Sequence, residues 1–501
     1  MANELHFPLF HGYVDRWLVS GVTETPVITK PTALHGAENE KLNTAPKDKP
    51  GEEQFKAERR AKTIAWPAQL DTRPGGLVGG ADNATPFTVY WPFDDIGVTY
   101  AWDCETPACL SAWAYTELDA AEAGSVPFDL ITCGGAALWL NGEKLTEVTP
   151  YHHNEPVPTP LTLPLQKGRN KLLVFFDNYA ERDATIILRL RWKGEGAAPE
   201  QVIPVGEADA ARLAEAEHLM RSLAFHRNHF TAGPVLLDYD GADIAESYHL
   251  AFVGGTEENV KGGVLFRREA DTLPHASQIS LGDCKTFPLA FLLLQVTTEV
   301  EGIRLTRPIS VEIHTESVLP RALPTVAERK RQALELLARW GEQNTNRALA
   351  ILATGGDTAE AERLLAVQSD YIRRRFDCSD FYLVYYPYIL RTFGKRGSGI
   401  LSEKTENELT DCLLGFRYWI DEPGNDAMWF WSENHALMFH TCQLLAGELF
   451  PDEVFTNSGL TGRQMQAKAK NMLYDWFVTF RKEGFTEWNS SPYLPIDTLG
   501  F

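Results

Sequence analysis

The chain has 501 residues, of which 44% are hydrophobic and 23% are charged, and this is the composition of a folded globular protein. Its length predicts about three domains, each large enough to bury a core of its own. The formal net charge of −21 disfavours nucleic acid and anionic membranes as partners. The same charge disfavours polyanionic sugar chains unless basic groups are gathered locally.

The sequence shows no signal for export and no segment that would span a membrane. The first residues, Met1 to Pro8, lack the basic segment and the long apolar run of a secretory signal. No window approaches the roughly 18 uninterrupted apolar residues of a membrane span. The seven cysteines show neither zinc-site nor disulfide spacing, so reduced thiols and no metal or cofactor are expected. The sequence therefore predicts a cytoplasmic protein.

The first part of the chain predicts β structure after a mixed N-terminal extension. Residues 1–85 form that extension, and residues 37–62 within it are charged and predict a loop or a short exposed helix. Residues 86–200 contain short runs of β-branched and aromatic residues that turn signals separate, which is typical of a β-sandwich. Asn141-Gly142 predicts a tight hairpin turn, because both residues tolerate positive φ.

A second β region is expected after a helical connector at residues 201–232. The connector contains an alanine-rich helix over 207–223 with acidic residues early. The β pattern returns over residues 233–320, which predicts a second β-sandwich. A linker with two prolines, Leu319 to Pro324, then separates the β regions from a helical region.

Residues 326–501 predict helices joined by glycine, proline and asparagine turns. A bundle, a solenoid and an (α/α) toroid all fit such a pattern, and the lack of a fixed repeat disfavours the solenoid. The predicted fold class is therefore multidomain, β then α, with two β-sandwich domains followed by an (α/α) toroid. The toroid is expected to be incomplete at its C-terminal end and to expose apolar side chains there, because Pro495 to Phe501 predicts the start of a further helix. The candidate helices are 327–341, 345–354, 357–376, 380–393, 402–420, 430–448 and 462–482.

Two segments near the C-terminal end carry the candidate catalytic residues. Glu433, Asn434 and His435 begin one predicted helix, and Glu487 and Tyr493 follow the next. Consecutive helical positions point about 100° apart, so two adjacent side chains of the first group can share a cleft. The alternative is that Glu433 or Asn434 caps the helix and that His435 is a structural side chain.

Aromatic and polar residues in the same segments predict a sugar site. Pyranose faces stack on aromatic rings, and Trp429, Trp431 and Trp488 are the candidate platform. Asn489 and Arg375 are candidate substrate-binding residues. Arg375 belongs to a run of three arginines that also fits a solvated helix face.

An amide, an imidazole and a phenol together suit proton abstraction beside a carboxylate. A proton α to a carboxylate is weakly acidic, and hydrogen-bond donors that neutralise the carboxylate make its removal feasible. A base and an acid must then reach the proton and the leaving oxygen. Asn434, His435 and Tyr493 supply these groups without a metal.

Two resemblances to known families accompany these patterns. The segments Leu138–Lys144 and Leu163–Val174 resemble the galactose-binding-like jelly-roll domains of glycoside hydrolases such as α-L-rhamnosidases. Asn434 and His435 are adjacent, and Tyr493 follows 58 residues after the histidine. This pattern resembles the toroidal polysaccharide lyases of the alginate-lyase and heparinase II/III types. That resemblance implies that Asn434 neutralises a uronate carboxylate. It also implies that His435 is a base or a partner to the carboxylate, and that Tyr493 is the acid or both acid and base.

Two other functions stay open at this point. An inverting glycoside hydrolase needs two carboxylates about 6.5–9.5 Å apart, and Glu433 and Glu487 are the obvious pair. A non-catalytic carbohydrate-binding fragment would use the aromatic residues alone. All three hypotheses expect an oligosaccharide or polysaccharide partner, and none of them fixes the oligomeric state.

Overall fold

The chain changes from strands to helices at about residue 320. The computed structural model describes residues 3–27, 50–93, 95–255, 264–314, 325–430 and 432–501. Strands dominate up to Ile313, and helices dominate from Val326 onward. The β-then-α organisation is therefore confirmed, and the predicted linker at 319–324 lies outside the described residues.

In its described residues, the first β region consists of two sheets. One has 11 strands and the other has five. The strands are β1 (Asn3–Phe7), β2 (Tyr13–Val14), β3 (Trp17–Ser20), β4 (Thr23–Pro26), β5 (Gln69–Leu70), β6 (Leu77–Gly79), β7 (Thr85–Tyr90), β8 (Val98–Asp103), β9 (Ala108–Ala120), β10 (Gly124–Thr132), β11 (Gly135–Leu140), β12 (Glu143–Val148), β13 (Val157–Leu165), β14 (Gly168–Ala180), β15 (Asp183–Trp192) and β16 (Glu200–Gly206).

Sheet pairing explains how this region buries its core. The larger sheet runs β12-β11-β14-β9-β3-β7-β6-β5, with β1, β4 and β16 attached to it, and the smaller runs β13-β10-β15-β2, with β8 on β15. Strands of both sheets contribute to one apolar cluster that includes Trp17, Phe128 and Phe176. Alternate side chains of a strand point to opposite faces, so each sheet supplies one apolar face to this core.

The predicted hairpin at Asn141-Gly142 is confirmed. The two residues connect β11 to β12 and have φ values of 53° and 89°. Two consecutive residues with positive φ match the twist of the flanking strands.

The larger sheet extends across the predicted boundary at residue 85. Strand β1 pairs with β16, β4 pairs with β9, and β3 lies between β7 and β9. Helix α1 (Pro50–Ala61) accounts for the short helix expected within 37–62, and residues before 50 in that segment lie outside the described part. Arg59 anchors α1 through Asp177 at 2.6 Å and Glu147 at 2.8 Å.

The second β region is smaller and follows α2 (Ala210–Ser222). It has a three-stranded sheet, β17-β19-β22, and a five-stranded sheet, β18-β24-β23-β20-β21. Leu213 and Leu219 of α2 join Leu305 in an apolar cluster that also includes residues of the first β region. The strands are β17 (Ala224–Phe225), β18 (His229–Phe230), β19 (Pro234–Asp238), β20 (His249–Gly254), β21 (Phe266–Asp271), β22 (Gln278–Asp283), β23 (Phe291–Val300) and β24 (Ile303–Ile313).

The helical region differs from the predicted pattern at two places. The helix predicted over 380–393 is two short helices, because Pro387 lacks the N–H that a continuous helix needs. The helix predicted over 402–420 ends at Gly415. The helices are α3 (Val326–Trp340), α4 (Thr345–Ala353), α5 (Thr358–Arg373), α6 (Ser379–Leu383), α7 (Tyr386–Phe393), α8 (Glu403–Gly415), α9 (Glu433–Leu449), α10 (Gly462–Glu483) and α11 (Tyr493–Gly500).

The last helices expose apolar side chains, as the sequence predicted. Tyr474, Trp488 and Phe501 are 64%, 78% and 59% exposed. Helix α11 accounts for the further helix expected at 495–501. The described helices pack on one another around an apolar core, and the incomplete (α/α) toroid stays a prediction. Among the described helices, none is both long and apolar enough to cross a bilayer.

Candidate active site

The first turn of α9 organises the candidate site. Ser432 is the N-cap residue, and its hydroxyl accepts a hydrogen bond from the backbone N–H of His435 at 3.4 Å. The Asn434 side-chain oxygen accepts from the same N–H at 2.6 Å. Ser432 therefore takes the capping position that the sequence assigned alternatively to Glu433 or Asn434, and the next three residues project from the helix end.

His435 is held by a buried carboxylate from another helix. Its Nδ1 lies 2.9 Å from Oδ2 and 3.1 Å from Oδ1 of Asp380, which belongs to α6. Asp380 is fully buried and His435 is 6% exposed. The imidazole also stacks on Phe381, with ring centroids 4.5 Å apart. These contacts fix the ring and turn Nε2 away from Asp380.

Two opposing effects act on the protonation of His435. Burial disfavours the charged ring, whereas the charge and hydrogen bonds of Asp380 favour it, and the net result is a raised pKa for His435. A carboxylate with both oxygens near Nδ1 stabilises the imidazolium directly. Asp380 therefore stabilises the imidazolium form of His435 relative to the neutral ring.

Glu433 connects α9 to the loop after α10. Its carboxylate accepts hydrogen bonds from the backbone N–H of Thr486, at 2.9 and 3.0 Å, and of Glu487, at 3.1 Å. Its own carbonyl accepts from the indole of Trp476 at 3.1 Å. These bonds give Glu433 the structural task of fixing the loop that carries Glu487.

Three carboxylates lie close together beside α9. Asn434 donates from its amide nitrogen to Glu487 at 3.3 Å, and burial together with the charge of Glu433 raises the pKa of Glu487. Asp497 of α11 is fully buried, and neither of its carboxylate oxygens has a hydrogen-bond partner. Burial and the neighbouring Glu433 and Glu487 raise the pKa of Asp497 to about 6. The cluster consequently favours binding protons or positively charged groups.

The first β region contributes one cation to the same place. Arg182, in the turn between β14 and β15, lies 4.6 Å from the ring centroid of Trp429 and 3.5 Å from an oxygen of Asp377. Asp377, Cys378 and His435 each offer a ligand-type atom, and these atoms lie within 4.8 Å of one another. The candidate site therefore lies where the β region meets the helices.

Three predicted site residues lie on the loop after α10 and at the start of α11. Tyr493 begins α11, is 40% exposed, and donates its backbone N–H to the Ser490 hydroxyl at 3.3 Å. Trp488 is the most exposed of the large apolar residues noted above, and Asn489 next to it has a positive φ of 62°. Within the described residues, no hydrogen bond joins the Tyr493 hydroxyl to His435. Trp431 lies outside the described residues.

Arg375 forms a different set of contacts. Its guanidinium binds the Asn457 side chain at 2.7 Å and lies 3.5 Å from an oxygen of Asp426. These partners tie together loops of the helical region, so the solvated-helix alternative does not describe Arg375. A substrate-binding role for Arg375 stays a prediction.

Sequence reasoning did not select four residues that the structure brings to His435. These are Asp377, Cys378, Asp380 and Arg182. Asp380 is 55 positions before His435, and Arg182 belongs to another region of the fold. The segment Asp377-Cys-Ser-Asp380 was the available signal, since it places three ligand-type side chains within four positions.

A cavity lies elsewhere, between the two β regions. Its volume is about 580 Å³, and its lining includes Arg73, Phe87, Glu299 and Arg304. None of the predicted site residues lines this cavity. The chemistry argued above therefore does not belong to it.

Comparisons with known proteins give partial matches only. No family model matches the chain, and no curated protein matches it. A GH31 alpha-xylosidase from Xanthomonas citri is 17% identical, with 24% of this chain and 14% of that chain covered, at a TM-score of 0.13. A family 35 carbohydrate binding module from an environmental isolate is 13% identical, with 29% and 88% covered, at a TM-score of 0.14. A beta-glucuronidase from Ruminococcus gnavus is 14% identical, with 42% and 36% covered, at a TM-score of 0.15.

By name, these structural neighbours are carbohydrate-active enzymes and a carbohydrate-binding module. The chain spans well under half the length of both enzymes it resembles. At such TM-scores the overall folds differ.

Proposed function

We propose that this chain is a carbohydrate-active enzyme that cleaves a uronate glycoside by β-elimination beside the first turn of α9. The observation that carries the proposal is the buried Asp380–His435 pair next to Asn434, because it sets an imidazole whose charged form is stabilised beside an amide donor. Those two groups suit a substrate carboxylate.

The raised pKa of His435 favours a role as partner to the substrate carboxylate over a role as base. A protonated ring cannot accept the C5 proton, but it can donate a hydrogen bond and offset negative charge. His435 and Asn434 therefore neutralise the uronate carboxylate together. The Asn434 amide already holds a carboxylate, that of Glu487, at 3.3 Å. The substrate carboxylate displaces Glu487 from this amide.

Tyr493 is the proposed proton-transfer group. The C5–H bond breaks, a double bond forms between C4 and C5, and the bond from C4 to the leaving oxygen breaks. A tyrosinate takes the C5 proton and the resulting phenol returns it to the leaving oxygen, so the reaction needs no redox partner. Trp429 and Trp488 are proposed as the sugar platform, because one lies beside Arg182 and the other is exposed on the adjoining loop.

Absorbance of an unsaturated uronate product tests the proposal. Wild-type protein is incubated with a panel of uronate-containing glycans, and any active glycan is then used for variants. Tyr493→Phe and His435→Ala should each lower the rate on the order of 10²–10⁴-fold. Tyr474→Phe is the matched control, because Tyr474 is exposed on α10. Equal rates for Tyr493→Phe and Tyr474→Phe would refute the role of Tyr493.

A glycoside hydrolase is the second candidate, and the raised pKa of Glu487 favours it. A carboxyl group with a raised pKa holds its proton to higher pH and can protonate a leaving oxygen. The backbone hydrogen bonds of Glu433 count against Glu433 as the second carboxylate. Release of reducing ends without new absorbance, abolished by Glu487→Gln and kept by Tyr493→Phe, would establish the hydrolase. Saturable glycan binding without either product would establish the binding fragment.

A further inference from the structure

Three side chains with metal-ligand atoms lie close together, and the proposed reaction uses only one of them. Asp377, Cys378 and His435 present an oxygen, a sulfur and a ring nitrogen within 4.8 Å of one another. Ligand atoms around a tetrahedral zinc ion lie roughly 3.3–3.7 Å apart. Asp377 and Cys378 are both only partly buried, so a small inward movement of their side chains reaches that spacing.

The surroundings of His435 match those of a metal-bound histidine. Asp380 engages Nδ1 with both oxygens, which fixes the ring and leaves Nε2 as its second coordinating atom. A carboxylate behind the imidazole is the usual outer partner of a histidine that binds zinc, and it increases the basicity of the coordinating nitrogen.

Asp377 provides an independent observation. Its Oδ1 is buried and has no hydrogen-bond partner, whereas its Oδ2 lies 3.5 Å from Arg182 and 3.6 Å from the Cys378 sulfur. A buried carboxylate oxygen without a partner is costly, and a bound cation removes that cost.

The local charge also fits a divalent ion. With Cys378 as a thiolate, Asp377, Asp380 and Cys378 are three negative groups close to His435, and the nearby Arg182 also pairs with Asp183 at 2.8 Å. The site therefore carries excess negative charge when His435 is neutral, as a metal ligand must be. A mixed oxygen, sulfur and nitrogen donor set is typical of zinc rather than of calcium or magnesium.

We propose that Asp377, Cys378 and His435 form a binding site for one zinc ion, with Asp380 as the orienting partner of His435. Such an ion takes the His435 nitrogen that the proposed reaction needs protonated. Zinc is therefore expected to inhibit that reaction. The binding itself does not depend on the proposed function, because it is measured without any glycan.

Direct binding of Zn²⁺ under reducing conditions tests the site. Wild-type protein should bind one ion per chain in calorimetry, and the affinity should fall as the pH falls, because protons compete for His435. Co²⁺ in place of Zn²⁺ should produce the near-ultraviolet charge-transfer absorption of a thiolate ligand. A wild-type protein that binds neither ion would overturn the proposal.

Variants separate this site from other thiols and from general damage. Cys378→Ser should weaken Zn²⁺ binding at least about tenfold and remove the cobalt absorption, and Asp380→Asn should weaken binding about 10–100-fold. Cys109→Ser is the matched control, because Cys109 is also partly buried but lies on β9. Unchanged binding in Cys378→Ser, or equal loss in Cys109→Ser, would refute the assignment. If Cys378→Ser does not fold, Asp377→Asn decides by the same affinity measurement. Failure of the glycan assay with intact zinc binding would reject only the proposed function.

Discussion

Replacing Asp497 by asparagine should strengthen the docking of α11 on α9 at alkaline pH and change it little at acidic pH. The Asp497 carboxylate is fully buried, lacks hydrogen-bond partners, and lies near Glu433 and Glu487. Its ionised form is therefore poorly solvated and repelled. The asparagine side chain keeps the shape and removes the charge.

The size of the effect follows from the pKa of Asp497, which rises from 3.8 to about 6. The folded state binds the proton more tightly than the unfolded chain does, so stability is greatest below about pH 4 and falls as the pH rises to about 6. At about 1.4 kcal/mol per tenfold change in proton affinity, the full cost is about 3 kcal/mol. Water that enters when this short helix frays reduces the cost, and about 1–2 kcal/mol is expected.

Hydrogen exchange of the peptide that covers α11 measures this difference. Asp497→Asn should raise the protection of that peptide about 5–30-fold over wild type at about pH 8, with little change at about pH 4. Asp475→Asn is the control, because Asp475 is exposed on α10. The ratio of protection between variant and wild type should therefore differ between the two pH values. An equal ratio at both would refute the reasoning, because an effect on hydrogen bonding or packing alone does not depend on the ionisation of Asp497.

Three further predictions concern stability. Arg59→Met should lower the free energy of unfolding of the first β region by about 3–5 kcal/mol, because it leaves the buried Asp177 carboxylate without its cationic partner. Arg60→Met at the exposed neighbouring position should change it by less than about 0.5 kcal/mol in urea unfolding. Burial lowers the pKa of His440 to about 3, so stability falls as the pH drops below about 6.5. His440→Gln should remove about 2 kcal/mol of that loss at about pH 5, and His218→Gln at an exposed position should not. Glu433→Gln should speed protease cleavage within residues 485–492, because the neutral amide holds the two loop N–H groups more weakly than the carboxylate; unchanged cleavage would contradict the loop-fixing role.

Residues near one another in the chain determined much of the fold. Asn141-Gly142 predicts its hairpin, because the turn depends only on two residues that tolerate positive φ. The change from alternating β patterns to helical periodicity predicts the change of secondary structure near residue 320. Local pattern also located the first turn of α9, although it did not identify Ser432 as the cap.

The break between α6 and α7 shows where local pattern was not enough. Apolar periodicity continues from 380 to 393, and it predicted one helix. Pro387 was visible in the sequence, but proline is accepted in a first helical turn as well as at a break. The structure shows the break, with Pro387 in the first turn of the second short helix.

The composition of the candidate site depended on tertiary structure. The sequence selected His435 and Glu433 from their position at a helix start, but it gave neither residue its partners. Asp380 reaches His435 across 55 positions, and the carboxylate of Glu433 binds backbone N–H groups that carry no side-chain signal. Arg182 comes from the β region and meets the helices only when the two regions pack together. Hydrogen bonds and ion pairs between distant segments depend on how the segments are placed in space, and local periodicity does not encode that placement.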